Sequence, residues 1–356
     1  MKIMITGVAG FIGANLAERL LRDGHRVIGI DNLAYGLRSN IPEGVEFHQL
    51  DIRGKEIYPL FAGTDAIFNF AAKNCIADCQ ADPVETADIN VRGTVNVFEA
   101  ARLGGVRKVI YAESSAIYEG AKTYPTPETD EAPESFYAMS KMAGKYFAEA
   151  YARFYGAASA GAESPSVIGQ QLDAADPQTS AAHHKPLATG QQTSTVPPPR
   201  STGMRFTALR YFCVYGPVQD YRRTIPPVMS AFIIKLLKGE APTIYGTGEK
   251  RRDFVYVDDI NDFHVQCLTD PRTDNRVFNL GAGINYSVNE IYAFVSRLLN
   301  IPIPPVRRPD LPGEAQVTLA DITSARALGW EPKTDIETGL RNAIAYIRSE
   351  MEKGNI

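Results

Sequence analysis

Two clusters in this chain have the residue types and spacing to do chemistry. The first is Gly7-Val-Ala-Gly10-Phe11-Ile12-Gly13, which follows the short run Lys2-Ile-Met-Ile-Thr6. Glycine at these three positions allows a sharp turn out of a strand, close approach of backbone to a pyrophosphate, and tight packing of a helix on a strand. A phosphate would then rest on the amide groups and positive dipole end of a helix beginning near Phe11. The second cluster is Tyr137-Ala-Met-Ser-Lys141, a phenol and an ammonium four residues apart. On a helix the two share a face, so the lysine favours the phenolate. Tyr137 can then remove a hydroxyl proton near neutral pH while hydride leaves the same carbon. A dinucleotide cradle and a proton-transfer pair in one chain point to redox chemistry on an alcohol.

The glycine triplet gains its meaning from what surrounds it. A periodic helix runs on from Phe11 to Leu21, and a second strand, Arg26-Val-Ile-Gly-Ile30, ends in Asp31-Asn32. An acid at that strand end accepts hydrogen bonds from adenosine ribose hydroxyls and repels a 2'-phosphate, which favours NAD over NADP. The alternative for Asp31 is a turn or cap residue before Asn32. A further strand, 108–112, delivers Glu113-Ser114-Ser115-Ala116 to the same sheet edge. A serine hydroxyl there can hydrogen-bond the reacting oxygen as alcohol or as ketone.

The elements that must position these groups alternate. Strands are expected at 2–6, 26–30, 45–50, 65–70 and 108–112, and helices at 11–22, 83–103 and 134–155. This order predicts a parallel, doubly wound α/β sheet with right-handed crossovers and a ligand at the carboxyl ends of its strands. Single cores stop growing at roughly 250–300 residues, so a chain of 356 residues is expected to have two lobes. The expected division is a Rossmann-type domain of residues 1–156, 204–216 and about 253–280. A smaller, mixed α/β C-terminal lobe for substrate takes 217–252 and 281–356. Within these, a helix is expected near 226–238, strands at 253–257 and 276–280, and two helices after 281. Residues 157–203 are rich in Ala, Ser, Gly, Gln, Thr and Pro without periodicity, and read as a disordered, low-complexity insertion where a short turn would suffice. The pair His183-His184 inside it reads as solvated, with no further ligands nearby.

Composition narrows the function classes. The net charge is -4 with no basic block, which argues against nucleic acid as a partner. No apolar run is long enough to span a bilayer and the N-terminus lacks a secretion signal, so a cytoplasmic protein is expected. Cys75, Cys79, Cys213 and Cys267 lack neighbouring histidines, so they read as free thiols and no metal site is expected.

Taken together, several motifs carry a family likeness: Thr6 to Gly13, Asp31-Asn32, Asp51-Ile52, Phe70-Ala71-Ala72, Asn90 to Thr94, Ser114 to Tyr118, Tyr137 to Lys141, Arg210 to Pro217 and Arg252 to Asp259. On these residues the chain resembles the extended short-chain dehydrogenase/reductases of the NAD-dependent epimerase/dehydratase family, most closely their UDP-glucose 4-epimerase branch, over everything except 157–203. The resemblance implies NAD as cofactor and a nucleoside-diphosphate sugar as substrate. It places Asp51 and Ile52 beside the adenine, and Ala71, Ala72 and Asn90 along the cofactor channel. Ser114, Tyr137 and Lys141 become the catalytic groups, with Lys141 also on the nicotinamide ribose. Arg252 would grip the substrate diphosphate and Arg308 would be a second such arginine. Cys213 stands where the family usually has Asn near the substrate phosphates, and Glu119 displaces a Gly expected after Tyr118. A homodimer through the helices at 83–103 and 134–155 is also implied.

Within that family, 4,6-dehydratases carry an Asp-Glu pair directly after the catalytic Thr, and decarboxylases a Glu at the second of these positions. Here the two positions are Ser115 and Ala116. Alanine cannot move a proton, so elimination lacks its acid and base. The expectation is 4-epimerisation: oxidation at C4, rotation of the keto sugar, and hydride return to the other face. UDP-glucuronate and UDP-N-acetylhexosamine 4-epimerases, a dehydratase, and a non-catalytic NAD sensor remain as alternatives.

Overall fold

Ile3 to Thr6 carry no charge, and in the computed structural model, which describes residues 1–156, 203–222, 226–310 and 315–356, they form a fully buried strand. It is β1 (Lys2–Thr6) of a seven-stranded sheet with β2 (Arg26–Asp31), β3 (Glu46–Gln49), β4 (Ala66–Asn69), β5 (Lys108–Ser114), β6 (Arg205–Tyr211) and β10 (Arg276–Leu280). The spatial order is β10-β6-β5-β4-β1-β2-β3, and every pair is parallel. This is a doubly wound, Rossmann-type α/β sheet, and its winding reverses between β1 and β4. At such a switch point the connections leave the strand ends in opposite directions and open a crevice.

Helices cover both faces. α1 (Phe11–Arg22) packs beside α7 (Val257–Thr269) on one face, burying Leu16, Ala17 and Leu20 with Ile3 and Ile5. On the other face lie α2 (Ile76–Ala81), α3 (Pro83–Ala87), α4 (Thr94–Leu103) and α5 (Phe136–Tyr155), with Val97, Phe98 and Ala101 against Ile67 and Val109. A second, smaller unit is built from short strands. β7 (Cys213–Tyr215), β9 (Arg251–Tyr256) and β11 (Asn285–Ser287) form one sheet, and β8 (Thr243–Tyr245) pairs with β12 (Val306–Arg308). Around them pack α6 (Val228–Leu237), α8 (Val288–Leu299) and α10 (Ile336–Glu352), while the single turn α9 (Thr323–Arg326) packs on β10 of the large sheet. Among the described residues no helix is long and apolar enough to cross a membrane.

Three details differ from the pattern reading. The stretch 83–103 is interrupted by a wide helical turn at Asp88–Gly93, where Asn90 is turned inward and buried. Strand 253–257 begins at Arg251 and ends at Tyr256. It pairs with β7 and β11, not with the large sheet. Val257 instead opens α7, which returns the chain to the large sheet. The expected insertion lies outside the described residues except for Gly203, yet its two ends meet. A Cβ added to Gly156 would stand 3.2 Å from the Met204 carbonyl, at the amino end of β6.

One buried group links this packing to pH. His264 on α7 is fully buried among Phe68, Phe70 and Tyr211, with Tyr211 Oη 2.7 Å from Nε2 and Asn261 Oδ1 3.2 Å from Nδ1. Burial pushes its pKa down to about 3, against roughly 6.5 in an unfolded chain. The unfolded state therefore takes up a proton that the folded state refuses. This contribution to stability is complete above pH ~6.5 and is lost at about 1.4 kcal/mol per pH unit as the pH falls towards 3. Urea midpoints of the protein should decline from pH 6.5 to 4 more steeply than those of His264→Gln. Parallel profiles would show that this histidine does not set the acid limit.

Candidate active site

At the carboxyl ends of the large sheet lies a cleft of about 1490 Å³. Single small-molecule sites occupy roughly 300–1,000 Å³, so this one can take two ligands end to end. Its floor is the turn between β1 and α1. Gly7 has φ +75°, and a Cβ there would come within 2.8 Å of Ala71 N. A Cβ on Gly13 would come within 2.2 Å of the Gly7 carbonyl oxygen. Only glycine lets the turn fold this tightly under the start of α1 while β4 continues alongside it. Thr6 Oγ1 donates to Asn69 Oδ1 at 2.7 Å and accepts from Ala71 N at 3.2 Å, which binds the ends of β1 and β4 together at the switch point.

Asp31 closes β2 at the cleft wall. Its carboxylate accepts from Ala9 N at 3.0 Å and from Leu33 N at 2.8 Å, and burial raises its pKa. Asp31 thus anchors a turn, with Leu33 at φ 60°, and each oxygen keeps a lone pair for a ribose hydroxyl. Asn32 Nδ2 donates to Asp51 Oδ2 at 2.9 Å, and Arg53 holds the Asp51 carboxyl well below the usual range. Ile52, Ala71 and Ala72 complete an apolar wall. These residues fit a dinucleotide: a turn free of Cβ atoms under a helix N-terminus, an acid at the end of β2, and a wall for a flat base. Asp31→Ala should raise NADP binding relative to NAD on the order of tenfold, by removing a like charge from the 2'-phosphate position. Unchanged cofactor ratios in a binding titration would undercut the ribose assignment.

Across the cleft, α5 presents Tyr137 and Lys141 on one face. Ser135 caps the helix by accepting from Ala138 N at 3.1 Å. Glu119 reinforces that start, accepting from Ser135 N at 2.7 Å, Glu134 N at 3.1 Å and Ser135 Oγ at 2.8 Å. The glutamate that departs from the family pattern is therefore an anchor for the helix that carries Tyr137. Lys141 is 3% exposed, its Nζ lies 4.6 Å from the Tyr111 ring centroid, and burial pushes its pKa down to about 8. Ser114, at the end of β5, accepts from Ala116 N at 3.2 Å, so its own proton is directed by whatever oxygen occupies the cleft. Ser115 and Ala116 follow in the cleft wall.

The far end of the cleft is cationic. Arg252 on β9 and Cys213 at the start of β7 line it, joined by Lys250, Lys235 and Arg222. Lys250 pairs with Asp310 at 2.5 Å, and Arg222 Nη2 donates to the Tyr35 carbonyl at 2.7 Å, joining the small unit to the loop after β2. Lys250 and Arg222 escaped the pattern reading because each sits in a short basic run, Lys250-Arg251-Arg252 and Arg222-Arg223, and charge alone does not say which side chain of a run faces a cleft.

Two expected site residues lie elsewhere. Asn90 is 1% exposed, donates to the Lys73 carbonyl and Ser140 Oγ at 2.9 Å each, and accepts from Lys73 N at 2.8 Å. Its amide is spent on the scaffold behind the cofactor channel and does not line it. Arg308 on β12 is exposed and does not line the cleft, although its register partner on β8, Tyr245, does. No group of three or more His, Cys, Asp or Glu among the described residues is placed to hold a metal ion. His183 and His184 lie outside the described residues.

Comparison with known proteins agrees with this geometry. The family model of the NAD dependent epimerase/dehydratase family matches residues 3–192 and 199–281. The UDP-glucose 4-epimerase of Mycolicibacterium smegmatis is 31% identical over 362 residues, covering 99% of this chain and 100% of its own. The solved UDP-glucose 4-epimerase of Thermotoga maritima, with UDP-glucose, superposes with a TM-score of 0.82 at 30% identity, covering 99% and 100%. The UDP-N-acetylglucosamine 4-epimerase of Methanobrevibacter ruminantium, in complex with UDP-N-acetylmuramic acid, gives 0.81 at 26% identity, covering 98% and 99%. With a glycine turn, an acid ending β2 and Tyr137 and Lys141 on one helix face around a single cleft, the chain belongs to the NAD-dependent epimerase/dehydratase family.

Proposed function

We propose that this protein is a nucleotide-sugar 4-epimerase of the UDP-glucose/UDP-galactose type. The observation that carries the reading is the convergence of Ser114, Tyr137 and Lys141 on one cleft whose next two wall positions, Ser115 and Ala116, hold no acid or base. When bound, NAD supplies the acceptor for a hydride and the source of its return. Tyr137 as phenolate removes the proton of the C4 hydroxyl and later gives it back to the same oxygen. Ser114 donates to that oxygen as it becomes a carbonyl, so the developing charge meets a fixed donor. Lys141 keeps the phenol acidic by standing as an ammonium on the same helix face. Arg252 and Lys250 are suited to a diphosphate, and an anchored diphosphate with a free sugar allows the keto sugar to turn its other face.

The same groups would serve an N-acetylated sugar, and the Methanobrevibacter neighbour is named for one. The test is to incubate the holoenzyme with UDP-, dTDP- and GDP-sugars, including UDP-N-acetylhexosamines and UDP-glucuronate, and to follow C4 stereochemistry by proton NMR. Interconversion of the gluco and galacto forms is expected. A 4-keto-6-deoxy product would show elimination without the acidic pair, and no turnover would favour a silent NAD sensor.

Oligomeric state belongs to the same proposal. Met139, Tyr146 and Phe154 of α5 are exposed at helical spacing, with Leu103 of α4 and Val84 of α3 exposed as well. We infer that two copies pair through these helices in a four-helix contact, which would cover the apolar stripe. Sedimentation should give a dimer, and a monomer at micromolar concentration would rule it out.

A further inference from the structure

Glu113 directly precedes Ser114 on β5 and is the register partner of Arg210 on β6. Both side chains are fully buried, and Arg210 Nε donates to Glu113 Oε2 at 2.7 Å. The other oxygen, Oε1, is buried with no hydrogen-bond partner, and the residue contributes to the cleft wall. A buried carboxylate with one oxygen unsatisfied is costly to maintain, so its place beside the reacting centre calls for a physical reason.

Strand geometry supplies one. Tyr111 and Glu113, two residues apart, project from the same face of β5. That face is covered by α5: Tyr111 Oη donates to the Lys141 carbonyl at 2.9 Å and its ring lies under Lys141 Nζ. Gly144 permits the approach, since a Cβ there would stand 2.2 Å from Tyr111 Oη. One turn beyond Lys141, Lys145 binds Glu131 at 2.5 Å, and Glu131 also accepts from Arg210 Nη2. Arg210 further donates to Tyr118 Oη and to the Glu128 carbonyl. The charges therefore form two balanced pairs, Glu113 with Arg210 and the part-buried Glu131 with Lys145, and Lys141, one helical turn before Lys145 and over the Tyr111 ring, is the fifth charge under this helix.

We propose that Glu113 is a positioning residue of the proton-transfer centre: its carboxylate, locked on Arg210, holds Lys141 in the ammonium form that favours the Tyr137 phenolate. The inference rests on the reading of Ser114, Tyr137 and Lys141 as catalytic groups. Burial drives Lys141 downward, and the charge of Glu113 opposes the fall. Glu113 is itself pushed up by burial, with Arg210 and Lys145 drawing it down and Glu131 pushing it up. Two further carboxylates face the cluster from its rim, Glu149 at 3.9 Å from Lys145 Nζ and Glu128, whose charge acts on Tyr118, and the remaining groups are a thiol and two phenols. Burial raises the Cys79 thiol of α2 and the phenols of Tyr111 and Tyr118. The sign follows: without the negative charge, Lys141 gives up its proton at a lower pH.

Glu113→Gln keeps the shape and an acceptor for Arg210 while removing the charge. In the NAD-bound enzyme the alkaline limb of kcat should move down by about one pH unit, with KM for the nucleotide sugar little changed. The ε-carbon resonance of Lys141 in lysine-labelled protein, assigned with Lys141→Met, should titrate lower by the same amount. Equal midpoints in the two proteins would overturn the proposal, whereas a merely structural role would lower stability and leave the midpoint in place. This resonance reports on Lys141 whether or not any sugar turns over, so an inactive wild-type enzyme would sink the epimerase reading separately. If Glu113→Gln fails to fold, the carboxyl resonance of Glu113 in the wild-type holoenzyme, assigned with Glu113→Asp, decides. An ionised carboxylate at pH 7 is expected, and a carboxyl protonated throughout pH 6–8 would overturn the role.

Discussion

Tyr137→Phe should reduce epimerisation by roughly 10²–10⁴-fold, the range that a positioned general base contributes, while the purified protein keeps its NAD. The change removes one oxygen from a half-buried ring at the cleft. It leaves untouched the Ser135 cap, the Glu119 contacts that start α5, and the packing of Lys141 over Tyr111. On the proposed mechanism the loss lies in kcat, because there the phenol acts on a proton and not on the sugar's anchoring groups. Steady-state kinetics with NAD content measured alongside checks this. A variant with unaltered kcat would remove Tyr137 from the reaction, and a variant that lost its NAD would recast the residue as a cofactor ligand.

Gly13→Ala should leave the protein largely without NAD. The added methyl would sit 2.2 Å from the Gly7 carbonyl oxygen and 3.0 Å from both the Gly7 carbonyl carbon and Val8 Cα. All three are backbone atoms of the cradle, so no flexible side chain can give way. Either the turn opens or α1 moves outward, and in both cases the amide groups that would meet a pyrophosphate lose their alignment. Overpacking of this kind costs about 1–3 kcal/mol of stability, modest for a core in which Ile3, Ile5, Leu16 and Leu20 are fully buried. The expected result is a folded protein with a native-like unfolding transition and little NAD released on acid precipitation. Full cofactor occupancy would mean that the pyrophosphate does not lie over this turn.

The sequence by itself determined the parallel α/β sheet, the cradle between β1 and α1, the acid ending β2, and the placing of Tyr137 and Lys141 on one helix face. These are local properties: strand period, helix period, and backbone freedom at glycine are written in consecutive residues. What only the tertiary structure decided depends on partners distant in the chain. Residues 253–257 read as a strand, which the structure places at 251–256, yet the sheet it joins was set by β7 and β11. Asn90 stands in a family motif, yet an inserted wide turn directs its amide to Lys73 and Ser140, away from the cofactor channel. Arg308 has the charge the resemblance asks for, yet its exposed side chain stays outside the cleft wall while its register partner Tyr245 is part of it. Glu113 and Arg210, 97 residues apart, become one buried pair only because β5 and β6 are neighbours in register. Periodicity reports which face of a segment is buried and says nothing of what lies opposite. The charge balance around Lys141 is a property of what lies opposite, so it belongs to the fold.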